Sequence, residues 1–182
     1  MIRIRRAADA DRPAIAAIHA QSWRDTYRTV LPDAFLDGEV EDVMRRRWQE
    51  QEIRREDAVL VAESEGGIVG FSATWDGESA YIDNLHVGRE ARSQGVGRRL
   101  LAETARHFLG LGRRRGHLHV VTANRRARAL YLALGGCPAG IEDKNLYGTL
   151  VPNERIDWPD LGLLLERAGT GPAVSNGARS ID

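Results

Sequence analysis

Apolar residues recur along this chain with two periods, and the switches between them predict an ordered series of strands and helices. Ile2 and Ile4, ahead of Arg5 and Arg6, predict a short half-buried first strand. Asp9 or Asp11 is expected to cap a helix that tolerates Pro13 in its first turn and carries Ile15, Ile18, Ser22, Trp23 and Tyr27 on one face. Leu31-Pro32 ends that helix. From about Pro32 a second one sets Leu36, Val40, Met44 and Trp48 four residues apart, with acids in its first turns, where the dipole favours them. Ala58 to Ser64 and Ile68 to Trp75 flank Glu65-Gly66-Gly67, a hairpin signal. Ala80 to Val87 is the next strand, and strict alternation predicts Tyr81, Asp83, Leu85 and Val87 on one face, with Ile82, Asn84 and His86 on the other. Leu100, Leu101, Ala105 and Phe108 define a long helix that starts near Gly95 and stops around Gly110 and Gly112. His117 to Thr122 alternates as a strand, Asn124 is a natural cap for a helix carrying Ala127, Leu130, Tyr131 and Leu134, and Gly135-Gly136 closes it. Gly140 to Gly148 and Asn153 to Trp158 predict two last strands, and Asp160 to Arg167 a short terminal helix. There is no internal repeat.

This order is that of an α/β domain, and 182 residues suit one domain with a sizeable buried core. We expect it to span residues 1–168, because 169–182 is rich in Gly, Ser and Ala without apolar periodicity and reads as a flexible tail. A single cysteine, Cys137, excludes an internal disulfide framework and reads as a small half-buried hydrophobe in a reducing compartment. The charged N-terminus lacks an apolar signal region and no run is long enough to span a bilayer, so a soluble, cytoplasmic protein is expected. Basic and acidic residues balance at 26 each, which argues against a general nucleic-acid or membrane surface. The balance hides segregation: eleven arginines face only Glu90 and Glu103 between Arg89 and Arg128, whereas nine acids face five arginines between Asp33 and Asp57. Such polarity suits an anionic ligand at one end and, weakly, a cationic one at the other.

The stretch from Ala80 to Arg99 concentrates the chemistry. In Arg92-x-x-Gly95-x-Gly97 the glycines permit a tight turn and a close approach of backbone to ligand just where a helix opens. Free amides there form an anion site, and Arg89, Arg92, Arg98 and Arg99 around them point to a ligand with several phosphates. A strand-to-helix turn with a solvated basic face is the plainer reading of the same residues. A P-loop is excluded by the missing Lys-Ser/Thr pair, and a dinucleotide fingerprint by Leu100 where a third Gly or Ala belongs. The run Arg113-Arg114-Arg115 reads as a solvated helix end or as reaching a terminal phosphate. Trp23 and Tyr27, at i and i+4, read first as core and second as a substrate-binding wall.

The strand ending His86-Val87, the turn Arg92-Ser93-Gln94-Gly95-Val96-Gly97, and Asn124-x-x-Ala127-x-x-x-Tyr131-x-x-x-Gly135 together resemble the GCN5-related N-acetyltransferase (GNAT) superfamily. The resemblance covers residues 1 to 165 in element order. It implies a mostly antiparallel twisted sheet of six or seven strands, split between the fourth and fifth, with about four helices. It also implies acetyl-CoA as co-substrate, no metal, and N-acetyl transfer to a primary amine by direct attack. Backbone groups of Leu85, His86 and Val87 would pair with the pantetheine arm, the amides of Gln94, Gly95, Val96, Gly97 and Arg98 would take the pyrophosphate beside Arg92, and Asn124 would bond the arm. Tyr131 would act as general acid toward the thioester sulfur. Ser22-Trp23-x-x-x-Tyr27 before Pro32, and Asp157-Trp158-Pro159-Asp160, resemble a bacterial branch acting on small amines; homodimers are common in proteins of this kind. A non-catalytic acyl-CoA sensor and a protein N-terminal or lysine acetyltransferase are the alternatives.

Two residues depart from the family pattern. Gly136 stands where an aromatic is usual, which would loosen one wall of the cofactor site, and Tyr81 stands where some members carry a catalytic carboxylate. The base is therefore open. Asp83 is the first choice because alternation sets it on the face of Leu85 and Val87, His86 ranks lower on the opposite face, and a water chain ending at Tyr81, Asp83 or the acids from Asp37 to Asp42 is a third route.

Overall fold

The computed structural model describes residues 1–169. Its strands are β1 (Arg3–Arg6), β2 (Ala58–Ser64), β3 (Gly67–Trp75), β4 (Ala80–Val87), β5 (Gly116–Val121), β6 (Cys137–Leu146) and β7 (Thr149–Trp158). The α-helices are α1 (Arg12–Thr26), α2 (Val40–Glu50), α3 (Val96–Gly110), α4 (Arg125–Ala133) and α5 (Leu161–Gly169). They build one mixed α/β unit around a seven-stranded sheet of order β1-β2-β3-β4-β5-β7-β6. Every neighbouring pair is antiparallel except β4 and β5. The expected fold class is therefore present, with one helix more than the resemblance implied. The expected tail lies outside the described residues apart from Gly169, which ends α5.

Two hydrophobic layers cover the sheet. On one face, Ile15, Ala20 and Trp23 of α1 and Val40, Met44 and Trp48 of α2 pack on Val59, Val61, Phe71 and Ala73. The strict four-residue spacing of Leu36, Val40, Met44 and Trp48 leaves each at most 1% exposed, although Leu36 lies in a π-helical turn, Phe35–Glu39, that precedes α2. On the other face, Leu101, Ala105 and Phe108 of α3 join Leu134, Leu161 and Leu164 against Ile82, Leu118, Ile156 and Trp158. No described helix is long and apolar enough to cross a membrane.

Several local expectations are corrected. Asp11 occupies the N-cap position of α1 without capping it, because its carboxylate accepts from Arg5 at 2.6 Å and from the Ala8 amide at 2.7 Å. Asn124 does cap α4, accepting from Ala127 N at 3.2 Å. The last strands begin earlier than turn residues suggested, at Cys137 and Thr149. Pro152 is tolerated inside β7 because the ladder with β5 ends at Val121 and Asn153. Cys137 is exposed rather than half-buried.

The consequential correction is in β4. Its register against β3 runs Ala73 with Asn84 and then Thr74 with Ile82, so Asp83 is an extra residue and a β-bulge interrupts the alternation. Beyond the bulge the parity inverts. Leu85 and Val87 pack on the α3 side with Ala91, Val96 and Leu100. Asp83 and His86 face α1 and α2, where they meet Arg47 and Ser22. The expected sharing of one face by Asp83, Leu85 and Val87 does not hold.

Candidate functional site

The parallel pair β4 and β5 is joined only at Ala80–Gly116 and Tyr81–His117. Past those residues the strands separate, while Leu85, His86 and Val87 keep their β3 partners Ser72, Phe71 and Gly70. One edge of β4 is thus left without a ladder beyond Tyr81, open to an extended ligand, with Val87 O already accepting from Arg92. A cavity of about 310 Å³ occupies the gap, bounded by Leu85 to Val87, the start of α3, and Asn124, Leu130 and Tyr131 of the α4 segment.

The start of α3 closes that cavity's outer end. Gly95 has φ +75° at the N-cap, a conformation that suits glycine. A Cβ on Gly97 would lie 3.7–3.8 Å from Leu85, Leu130 and Val87. The fold itself does not forbid a side chain there; one would only take up space in the cavity that Gly97 lines. The α3 amides therefore open on a space kept clear, the arrangement a diphosphate needs. Arg92 is tied down beside it, donating to Val87 O at 3.0 Å and to Asp25 at 2.8 Å. Arg89 also pairs with Asp25. Burial alone would raise the Asp25 carboxyl, but hydrogen bonds from Arg89, Gln21 and Arg92 hold it below the usual range. Gln94 turns its side chain to Glu90 O at 2.7 Å and does not line the cavity. Arg98 lines the cavity while donating to Arg167 O, and Arg99 reaches Ile2 O instead. Arg126, which the sequence pattern did not single out, adds a cation there and donates to Ser93 Oγ at 3.3 Å. The Arg113 to Arg115 run pairs with Asp76, Asp160 and Glu78 beyond the C-terminal end of α3, far along the helix from these amides.

A second cavity, about 380 Å³, lies on the α1 side and meets the first at Ser22, Thr26, Leu85, His86, Asn124 and Tyr131. Tyr131 is 7% exposed, and burial pushes its hydroxyl above the ordinary tyrosine range, so it stays protonated. Neighbouring Tyr27 is pushed up to about 12 by burial, partly offset by a hydrogen bond with Asn124. His86 Nδ1 lies 2.8 Å from Ser22 Oγ. Burial, with the nearby Arg47 and Arg92 charges, lowers this histidine to about 3, which keeps it neutral.

Asp83 enters the second cavity through the bulge. Its Oδ2 accepts from Arg47 at 2.6 Å, Asn84 at 2.8 Å and Trp75 at 3.0 Å. Tyr81 stacks on His117 at 5.1 Å, and burial together with Asp83, to which it is hydrogen-bonded, raises its hydroxyl. Lys144, Asn145 and Tyr147 of the β6–β7 hairpin complete the wall. These hairpin residues and Arg47 escape a reading based on motifs because they come from segments distant from the glycine turn and from each other.

Gly136 lies outside both cavities and is tightly packed. A Cβ there would lie 2.5 Å from Ile156 Cγ2 and 3.0 Å from Trp158, and Trp158 is anchored by its Nε1 donating to Leu134 O at 3.0 Å. The indole, edge-on to Tyr131 at 6.1 Å, backs the helix where a bulkier residue 136 would have stood.

Comparisons with known proteins agree with this geometry. The chain is 26% identical over 171 residues to an uncharacterized N-acetyltransferase, YuaI, of Bacillus subtilis (strain 168), covering 90% of this chain and 96% of the relative. A ribosomal-protein-alanine N-acetyltransferase from Brucella melitensis superposes with a TM-score of 0.67 at 26% identity, covering 86% of this chain and 98% of the other. PaiA N-acetyltransferase from Thermoplasma acidophilum, solved in complex with coenzyme A, gives 0.66 at 18% identity, with 84% and 98% covered. The profile of the acetyltransferase (GNAT) family matches residues 18–135, from mid-α1 through the end of the α4 segment. With the split sheet, the glycine turn and Tyr131 all inside that span, the chain belongs to the acetyltransferase (GNAT) family.

Proposed function

We propose that this protein transfers the acetyl group of acetyl-CoA to the primary amine of a small molecule, by direct attack with both substrates bound. The observation that carries this reading is the meeting of two cavities at Tyr131, one ending at the α3 amides and the other lined by polar and aromatic side chains. Leu85, His86 and Val87 offer backbone groups to the pantetheine arm, Asn124 a side-chain amide, and the amides from Gln94 to Arg98 a cradle for the pyrophosphate beside Arg92. Acetyl-CoA supplies an acyl group already activated as a thioester.

The chain's own groups handle two protons. An ammonium of pKa about 10.4 costs about 4–5 kcal/mol to deprotonate at pH 7, so a proton acceptor is needed on the acceptor side. Asp83 is our assignment, with Tyr81 as the link, because Arg47, Trp75 and Asn84 already occupy Oδ2. Ser22, hydrogen-bonded to neutral His86, sets its hydroxyl oxygen where the cavities join and orients the incoming nitrogen. Tyr131 donates a hydrogen bond to the departing sulfur, and its raised pKa suits it to stabilise that charge more than to surrender its proton.

Thermal denaturation with and without coenzyme A, followed by a thiol-release assay on an amine panel, tests the proposal. Ligand stabilisation grows as RT ln(1 + [L]/Kd), so millimolar coenzyme A is expected to raise the melting temperature. Thiol release should then require both acetyl-CoA and an amine. Stabilisation without release from any amine would leave an acyl-CoA-binding module, and no stabilisation would remove the site itself.

A further inference from the structure

The wall of the second cavity carries information about its guest, granted the transfer proposed above. Its charged members are Arg47, Lys144 and Asp83, two cations against one acid. The acid is spoken for, since Asp83 lies 2.6 Å from Arg47. The acidic stretch between Asp33 and Asp57 offers no substitute, because none of its acids lines this cavity. Lys144 in turn lies 3.1 Å from Glu142, so the charges of the wall are already paired and a second ammonium on the guest finds no free carboxylate there.

The remaining wall is aromatic. Trp23 and Tyr27 of α1 are edge-on at 5.2 Å, Tyr147 stands 5.6 Å from Trp23, and Phe35 stacks behind Tyr147 at 4.9 Å. Tyr147 is 46% exposed, and it belongs to the two-residue link between Leu146 and Thr149. Its φ is +48° and that of Gly148 is +87°. Two left-handed residues in a hairpin link form a turn in which Asn-Gly is the relaxed choice. A tyrosine there holds backbone strain, the kind that collects at functional sites.

We propose that the amine acceptor is a primary monoamine with an aromatic or branched apolar body, seated against the touching Trp23–Tyr147 pair, and that Tyr147 is a specificity-determining residue. Polyamines and aminoglycosides are disfavoured because their further ammonium groups find no unpaired carboxylate on the wall. Tyr147 holds the guest's apolar body while its nitrogen reaches Tyr131 at the junction of the cavities.

The test uses the full chain at saturating acetyl-CoA with thiol release as readout, comparing phenethylamine and isoamylamine with spermidine, kanamycin and an alanine-terminated peptide. Phenethylamine is expected to show at least a tenfold higher kcat/KM than spermidine or kanamycin. Tyr147→Asn, which relaxes the turn and preserves the hairpin, should raise the KM for phenethylamine about tenfold, the scale of one aromatic contact. The KM for acetyl-CoA should stay within about twofold. Faster turnover of spermidine, kanamycin or the peptide overturns this inference while the transfer stands, and so does an unchanged phenethylamine KM in the variant. If no amine supports release, the transfer and this inference fail together.

Discussion

His86 and Ser22, 64 residues apart in sequence, are joined by a 2.8 Å hydrogen bond at the place where the two cavities and the open edge of β4 converge. The imidazole is packed 4.6 Å from His19 and 5.3 Å from Phe71, ring centre to ring centre, so protonation would bury a charge. Its value near 3 lies below that of an unfolded histidine, so the unfolded chain takes up the proton first as pH falls from about 6.5 toward 3. Stability from this group is complete at pH 7 and is lost through that window. His19, lowered in the same sense by its own burial, adds to the loss. Urea denaturation at pH 7 and pH 5 should differ by about 2 kcal/mol for His86 alone. His86→Gln should remove that share of the difference; an unchanged difference would show that His86 titrates normally.

Ser22→Ala leaves His86 Nδ1 without its partner. A buried polar atom so stranded costs about 1–3 kcal/mol, read as a lower midpoint in urea. The amine kcat/KM should fall about tenfold, the value of one orienting hydrogen bond, with coenzyme A affinity retained. Equal losses for both substrates would argue that the cavity collapses rather than loses orientation.

Tyr131→Phe keeps the ring against Trp158 and removes only the hydroxyl. The acetylation rate is expected to drop about 100-fold, the size of one transition-state donor, while coenzyme A binding by calorimetry stays within twofold. A wild-type rate would take Tyr131 out of the chemistry.

Asp83→Asn leaves Arg47 without its carboxylate. The rate should fall by at least about 100-fold at pH 7, with the acetyl-CoA KM within about twofold. Tyr81→Phe should reproduce the loss, because the proton reaches Asp83 through that hydroxyl. A wild-type rate in both variants would assign the base elsewhere.

Gly136→Ala places a methyl 2.5 Å from Ile156 Cγ2 and 3.0 Å from Tyr131 O. Backbone on one side and the Trp158 ring on the other leave little room to yield, so a loss of about 1–3 kcal/mol in unfolding free energy is expected. A neutral substitution would mean that the β7 side chains shift freely.

Much of the frame could be read from residue order alone, because each helix carries a regular apolar stripe and the turn from Arg92 to Gly97 has few conformations open to it. The face of Asp83 could not. Period two assumes an uninterrupted ladder, and nothing in Tyr81-Ile82-Asp83-Asn84 announces the bulge, which exists because β3 offers one residue, Ala73, where β4 offers two. The cap of α1 was misread for a similar reason: Asp11 has the right chemistry and position, but Arg5 on β1 competes for the same carboxylate. The role of Gly136 needed the third dimension, since Trp158, 22 positions later, fills the space in front of it.

The bare edge of β4 has one more consequence. Strand edges usually invite a neighbouring molecule to add itself to the sheet, and proteins guard them for that reason. Here the edge faces inward across a cavity whose opposite wall is formed by Asn124, Leu130 and Tyr131, so the fold itself shields it. An edge enclosed in this way stays unpaired without inviting a neighbouring copy to extend the sheet.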